Sequence, residues 1–409
     1  MSLKPDTPET HARNTDTWAT ARRARAALSA YFFITGALLP IWASRIPAVT
    51  AQSEVGPDAL GIALFSMGVA ATITARSGGA VLDRIGPRRA IVPVAIAASV
   101  ALLLPGTATG ALHLTIALLV LGSCQSFLNV SVNMQAARLQ NFQRRSMLST
   151  FHAFVSIGGC AGALTGVAST RLNLDPFTTF QAAGLALVVV ALGTARTLLR
   201  TMPQEETTRP QPMARRPRFR PSTSPMVLLL GGLALMGVLA ESSVQDWSAL
   251  FAQESVGTSE TMAASVFAAF TVAMACGRLM GDRLTLLLGR TLLVRAGAAT
   301  AFTGFVLALS VPLASAALAG FSLVGLGLSC LVPQILNAAA DIDPQRVGTN
   351  MGTVASMGYA GPLVGSPVIG AVAAQTGVGT GLMLPAGLML VVVLGAGLLN
   401  ATGRHRVRV

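Results

Sequence analysis

Twelve apolar runs, each close to the length of one membrane crossing, constrain this 409-residue chain more than any other feature. A helix of about 20 apolar residues spans a hydrocarbon core about 30 Å thick. The runs lie at roughly 26–48, 59–82, 90–106, 110–137, 147–169, 177–199, 226–250, 260–281, 291–312, 314–340, 350–375 and 380–402. Only 11% of residues are charged, against about 25% in soluble domains, so the chain lacks the polar surface to meet water all round. An all-α membrane protein is therefore expected. The 41 glycines suit helices that approach closely in lipid, where small residues bring backbones together.

Charge placement sets the expected orientation. With a cytoplasmic N-terminus, 24 of the 29 Lys and Arg fall in segments on the inner side or, for Arg196, at the inner end of a run, four (Arg45, Arg76, Arg278, Arg295) lie elsewhere within runs, and only Arg171 is left outside. Basic loops stay cytoplasmic, so both termini are expected inside. Arg22, Arg23 and Arg25 precede the first run as in a secretory signal, but the run continues through Trp42 without a clear cleavage site, so a retained span is expected. The stretch TMPQEETTRPQPMARRPRFRPSTSP (201–225) has no apolar periodicity and reads as a cytoplasmic linker. The domain reading is a tail at 1–25, a six-helix bundle at 26–200, the linker at 201–225, a second bundle at 226–402 and a tail at 403–409.

The net charge of +13 does not indicate a nucleic-acid partner, because the arginines cluster between runs and aromatics make up only 5% of the chain. The four cysteines fall singly in separate runs with no CxxC spacing, so neither disulfides nor a metal site is expected, and no cofactor is implied. No HExxH or other recognisable catalytic pair occurs within the runs, so an enzyme is not expected.

The two halves echo one another. GGAVLDRIG (78–86) has a counterpart in CGRLMGDRL (276–284) at a shift of 199. Gly158 and Gly162 match Gly361 and Gly365 at 203, and Gly36 matches Gly237 at 201. Near-constant shifts point to two six-helix repeats, a transporter arrangement. The pattern Gly79, Asp83-Arg84, Gly86, Arg88-Arg89 between runs 2 and 3 resembles the loop signature of the major facilitator superfamily (MFS). LNVSVNMQA (128–136), STFHAFVSIGGCAGA (149–163) and ESSVQDWSALF (241–251) are similar to a bacterial branch near the fucose permeases. The resemblance implies twelve helices in two pseudo-symmetric bundles, a bacterial inner-membrane location and a monomer.

Physically, Gly79 removes a side chain where span 2 meets a neighbour, and Gly86 permits a tight turn. The resemblance implies a latch in which Asp83 contacts the N-terminus of span 11, near Thr349 and Asn350, and Arg138 at the inner end of span 4. Gly281, Asp282 and Arg283 form the weaker echo.

Polar groups within the runs mark the path, since each is costly in hydrocarbon. Gln125, Asn129 and Asn133 share one helical face, as do Gln334 with Asn337 and Glu241 with Gln245, while Tyr31, Thr35, Leu38, Trp42 and Arg45 form a stripe on span 1. The resemblance places spans 1, 4, 7 and 10 around a central cavity; the amides could equally bond neighbouring helices. His152 is a candidate proton relay or a backbone donor. Glu241 is the one acid well inside a span, a position that calls for a partner or a bound proton. It reads as a proton-coupling or substrate group, or as a structural bond. The shift of 201 also pairs Arg45 with Asp246, a candidate outer gate; the alternative is that each acts alone.

Two departures stand out. Fucose-permease relatives use acids in spans 1 and 4, whereas span 1 here has none and span 4 offers Asn129. Drug/proton antiporters carry an Arg where Leu118 precedes Gly122, and their span 5 Gly-Pro is missing here, the only comparable pair within a run being Gly361-Pro362 in span 11. The expected function is secondary transport of a small polar or amphipathic solute by alternating access, with a proton as candidate coupling ion. The alternatives are drug or secondary-metabolite efflux by proton antiport and, from another class, a membrane-embedded enzyme or passive channel.

Overall fold

Prolines at the first turn open four of the long helices, at Pro57, Pro87, Pro176 and Pro225. This is where a missing N–H costs nothing and the fixed φ suits the helix. The computed structural model describes residues 8–143, 147–201, 222, 224–343 and 345–399. The helices are α1 (Pro8–Ala43), α2 (Ile46–Ser53), α3 (Pro57–Ile85), α4 (Pro87–Ala101), α5 (Ala111–Gln143), α6 (Leu148–Arg171) and α7 (Pro176–Thr201), followed by α8 (Pro225–Glu254), α9 (Glu260–Ser310), α10 (Ala314–Leu328), α11 (Leu331–Ile342), α12 (Val347–Thr376), α13 (Val378–Gly381) and α14 (Met383–Gly395). Among the described residues, 11 helical segments are long and apolar enough to cross a membrane.

Helix α9 reconciles that number with twelve runs. Its 51 residues would extend about 76 Å at 1.5 Å per residue, far more than one crossing. It breaks at Gly289, whose φ of 72° and ψ of 162° are non-helical, so spans 8 and 9 meet there. Gly86 makes the corresponding turn between α3 and α4, with φ 80°. Span 10 is divided for a different reason. Pro333 lies four residues after Ser329, and its ring would clash with that carbonyl in a continuous helix; the chain breaks at Ser329 and Cys330, between α10 and α11.

Glycine sets the tightest packing. A Cβ at Gly158 would run into the carbonyl oxygen of Phe33, and one at Gly162 would lie 2.5 Å from that of Ala37, so α6 lies directly on α1. In the second half Gly361 would meet the oxygen of Leu235 at 2.8 Å, and Gly365 packs on Leu239, bringing α12 onto α8. The glycines matched at a shift of 203 thus do the same task in each bundle. Gly36 and Gly237 do not, since Gly36 faces Val155 of α6 while Gly237 faces Leu331 of α11.

The two six-helix bundles meet along α3 with α12 and along α6 with α9. Leu164, Leu185, Leu228, Leu286 and Leu394 are exposed on the periphery, an apolar surface suited to lipid. Some expected boundaries shift. Residues 1–25, expected as a tail, are helical from Pro8 onward and continuous with span 1. Most of the 201–225 linker and all of 403–409 lie outside the described residues; Ser222, near the linker's end, donates its N–H to Thr353 Oγ1 of α12 at 2.8 Å.

Candidate functional site

A cavity of about 410 Å³ lies between the bundles, lined from α1, α3, α5 and α6 on one side and α8, α9 and α12 on the other. Its polar lining includes Thr35, Gln125 and Asn129 from the first bundle and Glu241, Gln245 and Arg278 from the second. Asn129 is exposed halfway along α5, and Arg278 is also exposed, so the cavity is open to solvent.

The charged centre is an ion pair. Arg278 of α9 places Nη2 3.0 Å from Glu241 Oε1 of α8, and Gln245 donates Nε2 to the same oxygen at 3.3 Å. An isolated carboxylate at this depth would be costly, and Arg278 supplies the partner that sequence reasoning left unnamed. The signal was available: few arginines occur within runs, and one buried acid calls for one of them. Arg278 went unused because it sits inside CGRLMGDRL and reads as part of a loop motif.

In the first bundle Gln125 donates Nε2 to the Thr35 carbonyl at 2.7 Å, leaving its Oε1 buried without a partner. Asn133 donates to Asn129 Oδ1 at 2.5 Å one turn away, but does not itself line the cavity. Trp42 lines the cavity and is 1% exposed, with Nε1 unpartnered. Tyr31, on the same sequence stripe, turns away and donates its hydroxyl to the Ala191 carbonyl of α7 at 2.7 Å. His152 sits edge-on to Phe32, with ring centroids 5.9 Å apart, beside rather than on the lining.

Span 10 does not contribute as the sequence suggested. Gln334 is buried and donates to Thr285 Oγ1 of α9 at 2.9 Å, inside its own bundle, and neither it nor Asn337 lines the cavity. The break before α11 interrupts the face on which periodicity had placed them.

The end of the cavity nearest Arg45 is sealed. Arg45, just beyond α1, is 1% exposed; its Nη1 lies 2.7 Å from Glu260 Oε1 at the start of α9. Its Nη2 donates to the Leu174 carbonyl at 2.7 Å. The sequence expectation paired Arg45 with Asp246, and the structure corrects the partner. Asp246 accepts from Ser366 Oγ of α12 at 2.7 Å and lines the cavity. The repeat register aligned two equivalent positions on spans 1 and 7, but the residue that reaches Arg45 starts the following helix. At the start of α3, which follows α2 at this end, α3 and α12 also touch: a Cβ at Gly370 would lie 2.5 Å from the Pro57 oxygen and 3.0 Å from Gly61 Cα.

At the opposite end, Asp83 and Arg84 occupy the last turn of α3 and are exposed, with Arg88 and Arg89 opening α4. A Cβ at Gly79 would meet nothing within 4 Å; the close approach expected there occurs at Gly78, against Phe127 at 2.8 Å. The phase of α3 turns Gly78 inward and Gly79 out. Arg138 lies over Met134, Gly281 backs on Cys330, and Asp282 and Arg283 are exposed. Asn350, near the start of α12, is 2% exposed with Nδ2 unpartnered. Among the described residues no group of three or more His, Cys, Asp or Glu side chains could hold a metal.

The comparisons with known proteins agree on the family. The description Major Facilitator Superfamily matches residues 26–342 and 246–408. An uncharacterised MFS-type transporter of Yersinia pestis is 31% identical over 342 residues, covering 84% of this chain and 87% of its own. Among solved structures, a D-xylose-proton symporter superposes with a TM-score of 0.71 at 12% identity, covering 92% of this chain and 96% of its own. A mutant of the nucleoside transporter NupG gives 0.70 at 14% identity, covering 92% and 99%.

Proposed function

This chain belongs to the major facilitator superfamily of membrane transporters, and from that premise we propose that it moves a small polar or amphipathic solute by alternating access, with Glu241 and Arg278 as the shared site of solute and proton. The observation that carries this reading is a half-exposed ion pair in a cavity between two bundles that is sealed at one end and open to solvent. A paired acid and base in such a place can exchange partners. Solute hydrogen bonds to Arg278 release Glu241, and a proton on Glu241 releases Arg278, so each step biases the other. An equilibrium moves only as far as the two states differ in affinity, and this pair supplies that difference.

The basic segments make the Asp83 face cytoplasmic, which makes the Arg45 end the outer gate and the arrangement inward-facing. Opening outward requires Arg45 to leave Glu260 and α3 to part from α12. The Asp83 motif then latches the cytoplasmic side.

The test uses Ser242→Cys, a cavity position, in a background lacking Cys124, Cys160, Cys276 and Cys330. Impermeant thiol reagents applied to right-side-out and inverted membrane vesicles should each label it, because one cavity visits both faces. Labelling from a single face under all conditions would reject alternating access.

A further inference from the structure

Three charged side chains line the cavity, and they do not balance. Glu241 and Arg278 neutralise one another at 3.0 Å. Asp246 has Ser366 as its hydrogen-bond donor and no arginine or lysine among the described residues in an ion pair with it. Arg45, the nearest expected cation, is held by Glu260 and the Leu174 carbonyl and does not line the cavity. With Asp246 ionised, the cavity holds one negative charge in excess, in a chain whose net charge is +13.

That charge has a defined neighbourhood. At about 1.5 Å per residue, Asp246 lies about 12 Å in from the Glu254 end of α8, and Phe267 and Phe270 lie about 10–15 Å in from the Glu260 end of α9. Both rings and Trp42 line the same cavity. Aromatic faces attract organic cations, best where water is excluded, and an unpaired buried carboxylate is costly until something neutralises it. Two further groups lack partners: the Trp42 Nε1 donor and the Gln125 Oε1 acceptor, both buried on the lining. The Arg278 layer lies deeper, about 27 Å from the same end of α9 by the same rise.

Building on the transport reading, we infer that the solute is a small organic monocation, a protonated amine that also carries a hydroxyl or carbonyl group, and that Asp246 holds its ammonium. With Asp246 ionised and Glu241 paired to Arg278, an anion would meet a net negative cavity and a neutral solute would leave Asp246 uncompensated. The volume of about 410 Å³ is at the small end of pockets that enclose a ligand, about 300–1,000 Å³. The ammonium sits between the aromatic side chains at the sealed end, and the solute's polar group reaches toward Gln125 and the Glu241–Arg278 pair.

Charge-matched thiol reagents test this without knowledge of the natural solute. In the cysteine-free protein with Ser242→Cys, trimethylammonium-ethyl and sulfonato-ethyl methanethiosulfonate are similar in size and opposite in charge. After normalisation to a free thiol, the cationic reagent should react at least about tenfold faster, the lower end of the enrichment that a charged cleft produces. Asp246→Asn should bring the two rates to within about twofold, and Asp246→Glu should retain the preference, which separates charge from misfolding. Equal rates in the parent protein, or a preference that survives Asp246→Asn, would overturn the inference. Either result could occur with labelling still reaching Ser242→Cys from both faces, so the transport reading would stand; single-face labelling would sink that reading and leave the charge preference measurable.

Discussion

Two arginine–glutamate pairs divide this protein into unlike regions. Arg45 and Glu260 join the two bundles at the sealed end, with the arginine 1% and the glutamate 41% exposed and a second bond from the arginine to a backbone carbonyl. Arg278 and Glu241 lie within the second bundle, 43% and 21% exposed, on the wall of an open cavity. The chemistry is the same and the setting differs at the arginine, buried in the first pair and exposed in the second. Removing one member of a buried pair strands a charge in low dielectric, whereas a pair in contact with water contributes little and rearranges readily. The sealed end is therefore built to hold one state, and the cavity is built to be disturbed by what enters it.

The sharpest way to break the comparison is Glu260→Gln. It leaves the buried Arg45 guanidinium without its ion-pair partner, at a cost of at most about 3 kcal/mol to the closed state. Alkylation of Ala43→Cys from the Arg45 face should rise by more than tenfold; unchanged protection would mean that the ion pair does not hold the seal. Gly370→Ala comes next. The new methyl would press on the Pro57 carbonyl and Gly61 Cα, both backbone, and overpacking of this kind costs about 1–3 kcal/mol. The same reporter should become more reactive, while Gly79→Ala, with open space around it, should leave it unaltered.

Glu241→Gln should change thermal stability by less than about 1 kcal/mol, since its pair is partly solvated. Its effect should appear instead as loss of the pH dependence of net flux, with exchange spared. A pH dependence identical to the parent would remove Glu241 from proton coupling. The smallest effect belongs to Asp175, in the loop next to the seal. It accepts the Thr178 N–H at 2.9 Å and the Thr178 hydroxyl, and these bonds hold its carboxyl below the ordinary value. A lowered folded value contributes stability above the unfolded value, lost as pH falls through the folded one. The stability difference between the parent and Asp175→Asn, about 1 kcal/mol or less as for other helix caps, should be present near neutrality and be lost as the pH falls through the lowered carboxyl value. A difference that persists there would assign it to packing.

Much of the architecture is legible in the chain itself because hydrocarbon imposes length. Twelve runs appear as twelve crossings, even where Gly289 joins two of them into one helix. The 203-residue shift works for Gly158 and Gly361 because each is pressed against a helix backbone, and only glycine permits that approach. The site was legible in its chemistry and less so in its contacts. Thr35, Gln125, Asn129, Glu241 and Gln245 line the cavity, but periodicity could not reveal that Pro333 would break span 10 and turn Gln334 into its own bundle. Nor could an internal repeat name the partners of Arg45 and Glu241. It aligns equivalent positions, whereas ion pairs form between positions that the fold brings together, 215 residues apart for Arg45 and Glu260.

The central claim is that the seal at the Arg45 end and the opening at the Asp83 face are two ends of one rocking motion. Pulsed electron-spin distance measurements test it with one label pair at each end, Ala51 with Gln375 and Ala137 with Gln345, in the parent and in Glu260→Gln. Alternating access predicts that the variant lengthens the Ala51–Gln375 distance and shortens the Ala137–Gln345 distance in the same population. Lengthening at the first pair with no change at the second would contradict it, reducing the Arg45–Glu260 pair to a local clasp.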